Sequence, residues 1–239
     1  MNPLFVLSRP VFASDTRSQL KSRALCRQVG VMRRARTPRC SAMTAEKARL
    51  KLEIENVAGE QRGIFGMEDD QREAFERLIQ AVEAINPVTE PTANNAAAAG
   101  GKWRLLYTNL EILGRRRVKL AIATERKPGF VKLGDFFQVV DPATRVSKNV
   151  VEFRILTGGT GTFTVCAEYE AISKTRVEVR TTGAGLEPKA LEELLGENKT
   201  LLTQIFNPEG FLDITFVDES MRIGRDNKGH VFVLEKCEQ

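Results

Sequence analysis

Between residues 151 and 180 the chain alternates apolar and polar side chains in three successive runs. Val151, Phe153 and Ile155 alternate with Glu152 and Arg154. Phe163, Val165, Ala167, Tyr169 and Ala171 share one face, with Thr164, Glu168 and Glu170 between them. Val177 and Val179 then alternate with Arg176, Glu178 and Arg180. A period of two with short turns marks an antiparallel meander with one buried face. Such a meander must either stack on another layer or curl closed on itself. Small Ala167 and Ala171 beside large aromatics suit the inside of a small barrel, filled by side chains or with room for an apolar ligand.

The rest of the C-terminal region extends this pattern. Trp103–Tyr107, Val118–Ile122 and Gly134–Val140 are short apolar runs, and Asp141-Pro142 supplies a turn. Phe211–Val217, Glu219–Gly224 and Val231–Leu234 read as closing strands, the last two joined by the hairpin signal Arg225–Gly229. Glu187-Pro188 opens a short helix with Leu191, Leu194 and Leu195 on one face, and Thr200–Phe206 is read as a further strand or a lid. Gly101-Lys102-Trp103 fits the start of a first barrel strand. Glycine lets the backbone pass close beneath the barrel, and the only tryptophan of the chain plugs that end.

Upstream the period changes. Leu50, Ile54 and Val57 recur at helical spacing, and Phe75, Leu78, Ile79, Val82 and Ile85 form a second apolar face that Asp69 or Asp70 can cap. Asn86-Pro87 ends that helix. The pair is expected to pack on the barrel or close one mouth of it. Residues 88–100, with Pro91, four consecutive alanines and a final glycine, read as a linker.

Net charge is +5, but the basic residues are not evenly spread. Residues 1–43 hold nine Lys/Arg and one acid, Asp15, which leaves a slight acidic excess in the remainder. Whole-chain basicity therefore gives no case for nucleic acid as a partner. Arg-rich, Ser-containing and nearly acid-free, residues 1–43 have the composition of an organelle transit peptide, with Cys40-Ser41-Ala42 as a cleavage region. The expected organisation is thus a transit peptide at 1–43, a helical segment at 44–87, a linker at 88–100 and a barrel at 101–239. No run of 18 apolar residues occurs.

Four motifs in order carry a more specific likeness: Ala84–Pro87, Gly101–Thr108 with Gly134–Gln138, Glu219–Asp226, and Gly229–Leu234. Together, behind an import-like leader, they resemble the plastid lipid-associated protein (PAP)/fibrillin family over about residues 46–236. The resemblance implies a mainly β (α+β) chain: a lipocalin-like antiparallel barrel with two N-terminal helices and a short helix before the last strands. It also implies plastid residence, in stroma or at plastoglobules or thylakoids, and a non-catalytic role binding or shielding prenylquinone, carotenoid or fatty-acid lipids. The alternative is a scaffold that coats plastid lipid droplets or recruits an isoprenoid-lipid enzyme without holding a ligand.

Reaction chemistry is sparse. His230 is the only histidine, and no nucleophile-elbow sequence accompanies it. Gly158-Gly159-Thr160-Gly161 lacks the Lys-Ser/Thr of a phosphate loop and reads as a hairpin turn. No catalytic residue, metal or cofactor is expected. Trp103, Tyr107, Phe137, Phe153, Phe163, Tyr169 and Phe232 are the candidate apolar-interior contacts, although aromatics in such positions are individually more often packed core than ligand contacts. Gly101, Trp103, Arg222 and Arg225 are the candidate barrel-closing residues, with the Arg222 guanidinium laid on Trp103. The basic turn Arg115-Arg116-Arg117 is a candidate membrane or partner contact, or simply a solvated loop tip.

Overall fold

A computed structural model of the chain describes residues 38–59, 62–92, 100–111, 131–155, 158–189, 202–203 and 206–237, all within one compact unit, Arg36–Gln239. Eight antiparallel strands follow one another around a closed ring: β1 (Gly101–Thr108), β2 (Val131–Asp141), β3 (Val146–Ile155), β4 (Thr160–Ala171), β5 (Arg176–Glu187), β6 (Gly210–Val217), β7 (Met221–Asp226) and β8 (Val231–Lys236). Each strand pairs with its sequence neighbour, and β8 returns to β1 with Leu105 opposite Leu234. Closure satisfies every edge of a one-faced sheet and turns that face into a core. This up-and-down ring is the lipocalin-like arrangement.

The inward face buries Trp103, Leu105, Phe136, Phe163, Val165 and Leu234 among others. Two segments from outside the ring join them. Ile64, from the loop between the helices, is 1% exposed, and Phe206 lies with its ring centroid 5.7 Å from Phe136 and 6.0 Å from Phe163. Both enter from the end where β1 finishes. Gly63 makes the first entry possible. Its φ is +80°, and a Cβ there would sit 2.1 Å from the Thr108 carbonyl oxygen, so no other residue fits without moving the backbone.

The helices cover the outside of the ring. α1 (Pro38–Glu53), the helical turn that extends it and α2 (Asp69–Glu83) lay Leu50, Ile54, Phe75, Ile79 and Val82 against Phe216, Met221, Ile223, Val231 and Val233, the outward side chains of β6, β7 and β8. Burying each of these large side chains contributes about 1.5–3 kcal/mol. α1 begins earlier than expected and includes Cys40–Ala42 in its first turn. It continues into a π-helical turn, Ile54–Ala58. The wider turn shifts the apolar phase by one residue, so Ala58 is buried and Val57, expected on the buried face, is exposed. Neither Asp69 nor Asp70 caps α2. Glu68 holds the cap position without a side-chain bond, and the two aspartates lie in the first turn, where they favour the helix dipole.

Other expectations shift or fall elsewhere. β5 runs on to Glu187, where a helix start was expected, while Val118–Ile122 and Leu191–Leu195 lie outside the described residues. Cys166 and Cys237 are both free thiols.

Candidate functional site

The interior is built around Trp103 and Arg222. Antiparallel pairing places Gln138 of β2 opposite Trp103, and Val217 opposite Arg222 on β7. The Arg222 guanidinium carbon lies 4.8 Å from the Trp103 ring centroid, and the Lys236 ammonium 5.2 Å from it. Arg222 is only 4% exposed. It donates to Gln138 Oε1, and Gln138 Nε2 donates in turn to Asn149 Oδ1 at 3.0 Å. Burial disfavours the charged guanidinium and draws its pKa down to about 10, an effect that Tyr169 partly opposes.

Two cavities meet at this cluster. One, of about 390 Å³, lies toward the Gly101 end, between Val140, Tyr169, Ala171, Val177 and the covering residues Pro91 and Thr92. Thr92 is tied across that end by bonds to the carbonyls of Ser173 and Lys174. The other, of about 430 Å³, extends toward the opposite mouth between Leu105, Phe136, Val151, Phe206 and Phe232. Gln138, Val179, Leu212, Ile214 and Arg222 line both. The smaller cavity has mainly apolar walls, whereas the larger is apolar along Leu105, Phe136, Val151 and Phe232 and polar toward its mouth, where Glu111, Glu209, Asp226 and Lys228 line it. A space that is apolar within and polar at its rim suits one small amphiphilic molecule.

The seven aromatic candidates divide. Trp103, Phe153 and Phe163 are buried in the interior core, and Phe232 packs against it. Tyr169 lines the smaller cavity, and burial raises its pKa. Tyr107 is not interior. A β-bulge between Leu105 and Tyr107 reverses the side on which later residues of β1 point. Tyr107 therefore faces outward and stacks on Phe75 of α2 at 4.4 Å and 14°, where burial pushes its hydroxyl up to about 12. Phe137 turns its ring to the outer face and yet borders the larger cavity. It alternates with the inward Phe136 and Gln138, and the Lys102 ammonium sits 3.8 Å over its ring.

The barrel-closing candidates also divide. Gly101 takes a φ of +102° under Lys236, a conformation that favours glycine. Arg225 does not sit with Trp103. It faces outward and bonds Glu83 at 2.8 Å and Glu76 at 2.7 Å, which clamps α2 to the barrel. Arg115–Arg117 lie outside the described residues. His230 has its Nδ1 2.7 Å from Asp226 Oδ2, so the imidazole serves the turn between β7 and β8. Sequence reasoning did not place Ile64, Phe206 or the Gln138–Asn149 pair at the site, although Gln138 ends one of the motifs quoted above and Phe206 ends the run read as a strand or a lid.

A closed antiparallel barrel of eight strands with a partly hollow interior defines the class: a lipocalin-like barrel. The PAP_fibrillin family model matches residues 46–235, and the chain belongs to that family. Two relatives from Arabidopsis thaliana are similar. Probable plastid-lipid-associated protein 5, chloroplastic, is 27% identical over 186 residues, 76% of this chain and 66% of that protein. Probable plastid-lipid-associated protein 1, chloroplastic, is 26% identical over 233 residues, 80% of this chain and 70% of that protein. The chain thus spans about two thirds of the length of these relatives. A lipocalin-like protein from Bacteroides uniformis matches with a TM-score of 0.29 and 13% identity, over 58% of this chain and 97% of that one.

Proposed function

We propose that the barrel holds or shields one small apolar lipid, of prenylquinone, carotenoid or fatty-acid type, without catalysing a reaction on it. The observation that carries this is the pair of cavities, of about 390 and 430 Å³, that meet at Arg222 and Gln138 inside the ring. Each falls within the range of about 300–1,000 Å³ typical of ligand pockets. A purely structural barrel is expected to be filled by side chains. The names of the Arabidopsis thaliana relatives, which associate them with plastid lipid, support the same reading. The protein resides in the plastid. There, on this reading, it works at the surface of plastoglobules or thylakoids, and residues 1–43 act as the import peptide.

The test is to purify the chain, extract it with organic solvent, and titrate it with prenylquinone, carotenoid and fatty acid. A stoichiometric lipid in the extract, or saturable binding of one class, supports the reading. Absence of both, together with capture of an isoprenoid-lipid enzyme from plastid extract, replaces it with the scaffold role. Turnover of an added lipid overturns the non-catalytic part.

A further inference from the structure

Arg222 stands where the two cavities join, and its surroundings narrow the ligand. Its neighbours along β7, Met221 and Ile223, face the helices, so the strand spends one of its few inward positions on a cation. Arg222 is 4% exposed, and its guanidinium is positioned from one side by the Trp103 ring and from another by Gln138 Oε1. Gln138 is itself oriented by Asn149, so the acceptor is fixed in direction. A guanidinium has five N–H donors in a planar fork, a geometry matched to a carboxylate. Tyr169 shares the smaller cavity with Arg222, close enough that each shifts the other's proton affinity.

Cavity size limits the tail that such a head can carry. Both cavities are toward the small end of the ligand-pocket range of about 300–1,000 Å³. A single acyl chain matches that size better than a carotenoid or a polyprenyl tail. The inner part of the larger cavity, along Leu105, Phe136, Val151, Phe206 and Phe232, suits an unbranched hydrocarbon, and the charged residues Glu111, Glu209, Asp226 and Lys228 line its outer part.

We infer that the interior takes a single-chain lipid carboxylate, its head on Arg222 at the shared wall and its tail in the larger cavity. This rests on the lipid-holding reading above and selects one class within it. Trp103 is the only tryptophan of the chain and lies against Arg222, so its emission reports on the head position. The experiment titrates the full chain with oleate and with methyl oleate, both below the concentrations at which they self-associate, and follows Trp103 fluorescence. Oleate is expected to bind on the order of tenfold more tightly, because its head makes a charge-assisted bond and the ester's does not. In Arg222→Gln, shown to be folded by circular dichroism, the two are expected to bind alike, with methyl oleate affinity unchanged. Equal affinity for the two in the wild-type chain overturns the carboxylate assignment and leaves the lipid-holding reading standing. A preference that persists in Arg222→Gln overturns the role of Arg222. If Arg222→Gln does not fold, the wild-type comparison still decides the ligand class. Failure of both probes, and of prenylquinone and carotenoid as well, removes the lipid-holding reading itself.

Discussion

The two faces of β7 are built to different ends. Outward, Met221 and Ile223 are fully buried beneath the helices, and Arg225 is held between Glu76 and Glu83. Inward, Arg222 and Gly224 border open space. One side of the strand is filled and cross-linked by charge, whereas the other keeps a cavity and a buried cation that close packing does not require. The contrast teaches that the helices hold the wall so that the interior need not be filled. Substitutions on the outer face should lower stability, and those on the inner face should change binding.

The largest expected effect is on the outer face. Phe75→Ala removes the ring stacked on Tyr107 and should lower unfolding free energy by about 3–5 kcal/mol, read by urea denaturation. A loss below 1 kcal/mol, on the order of a surface change, would mean that the helix layer adds little to the wall.

Next comes the charge clamp. Arg225→Met leaves Glu76 and Glu83 without their shared donor and should cost about 1.5–3 kcal/mol, with amide exchange in α2 accelerated. Arg222→Met on the opposite face replaces a buried cation with an apolar chain of similar size. It should cost less than Arg225→Met, because the desolvation of Arg222 is relieved. The reverse order would break the comparison.

Acid should loosen α1 from the barrel. Two carboxylates tie it down, Asp218 to Lys47 and Glu235 to Lys51. For both, burial alone would raise the pKa. The bonds to Lys47, Ser220 and Met221 outweigh this at Asp218, and those to Lys51 and Arg104 do so at Glu235. Each folded pKa therefore lies below its ordinary value of 3.8 or 4.5. A depressed carboxylate pKa adds stability above the unfolded value, which is lost as pH falls through the folded one. Melting temperature should thus fall as pH drops from about 5 to below the folded values, and Asp218→Asn should flatten part of that slope. An unchanged slope in Asp218→Asn would show that the Lys47 contact is without thermodynamic weight.

The smallest effect belongs to an exposed pair on the uncovered part of the wall. Lys102→Ala removes the ammonium over Phe137 and should cost about 0.5–1 kcal/mol by the same denaturation.

Much of this was legible in residue patterns, and the remainder was hidden for a common reason. Strict alternation in Phe163–Ala171 and Val177–Val179 showed which side chains share a face, and a one-faced meander had either to stack on another layer or to close. Trp103 near the start of the barrel and Arg222 near its end pointed to their contact, because the two ends of a closed barrel meet. Alternation fails wherever a strand carries an extra residue. The bulges between Leu105 and Tyr107 and between Ile214 and Phe216 each reverse the facing side, and nothing in those segments marks them. Tyr107 was misplaced for this reason. Phe136 and Phe137 are adjacent, so one must face in and the other out, and only the register against β1 and β3 decides which. Arg225 was misplaced because an arginine at a strand end looks the same whether it closes a barrel or grips a helix. Ile64 and Phe206 come from outside the strands, where periodicity has nothing to report.

The central claim is that the inner face of β7 serves a ligand, and a crystal structure of the chain grown with oleate tests it most directly. The account predicts a chain of density in the cavity between Leu105, Phe136 and Phe232, ending in a carboxylate within hydrogen-bond distance of Arg222. Both cavities empty at saturating oleate, or oleate bound only on the outer wall, would contradict it.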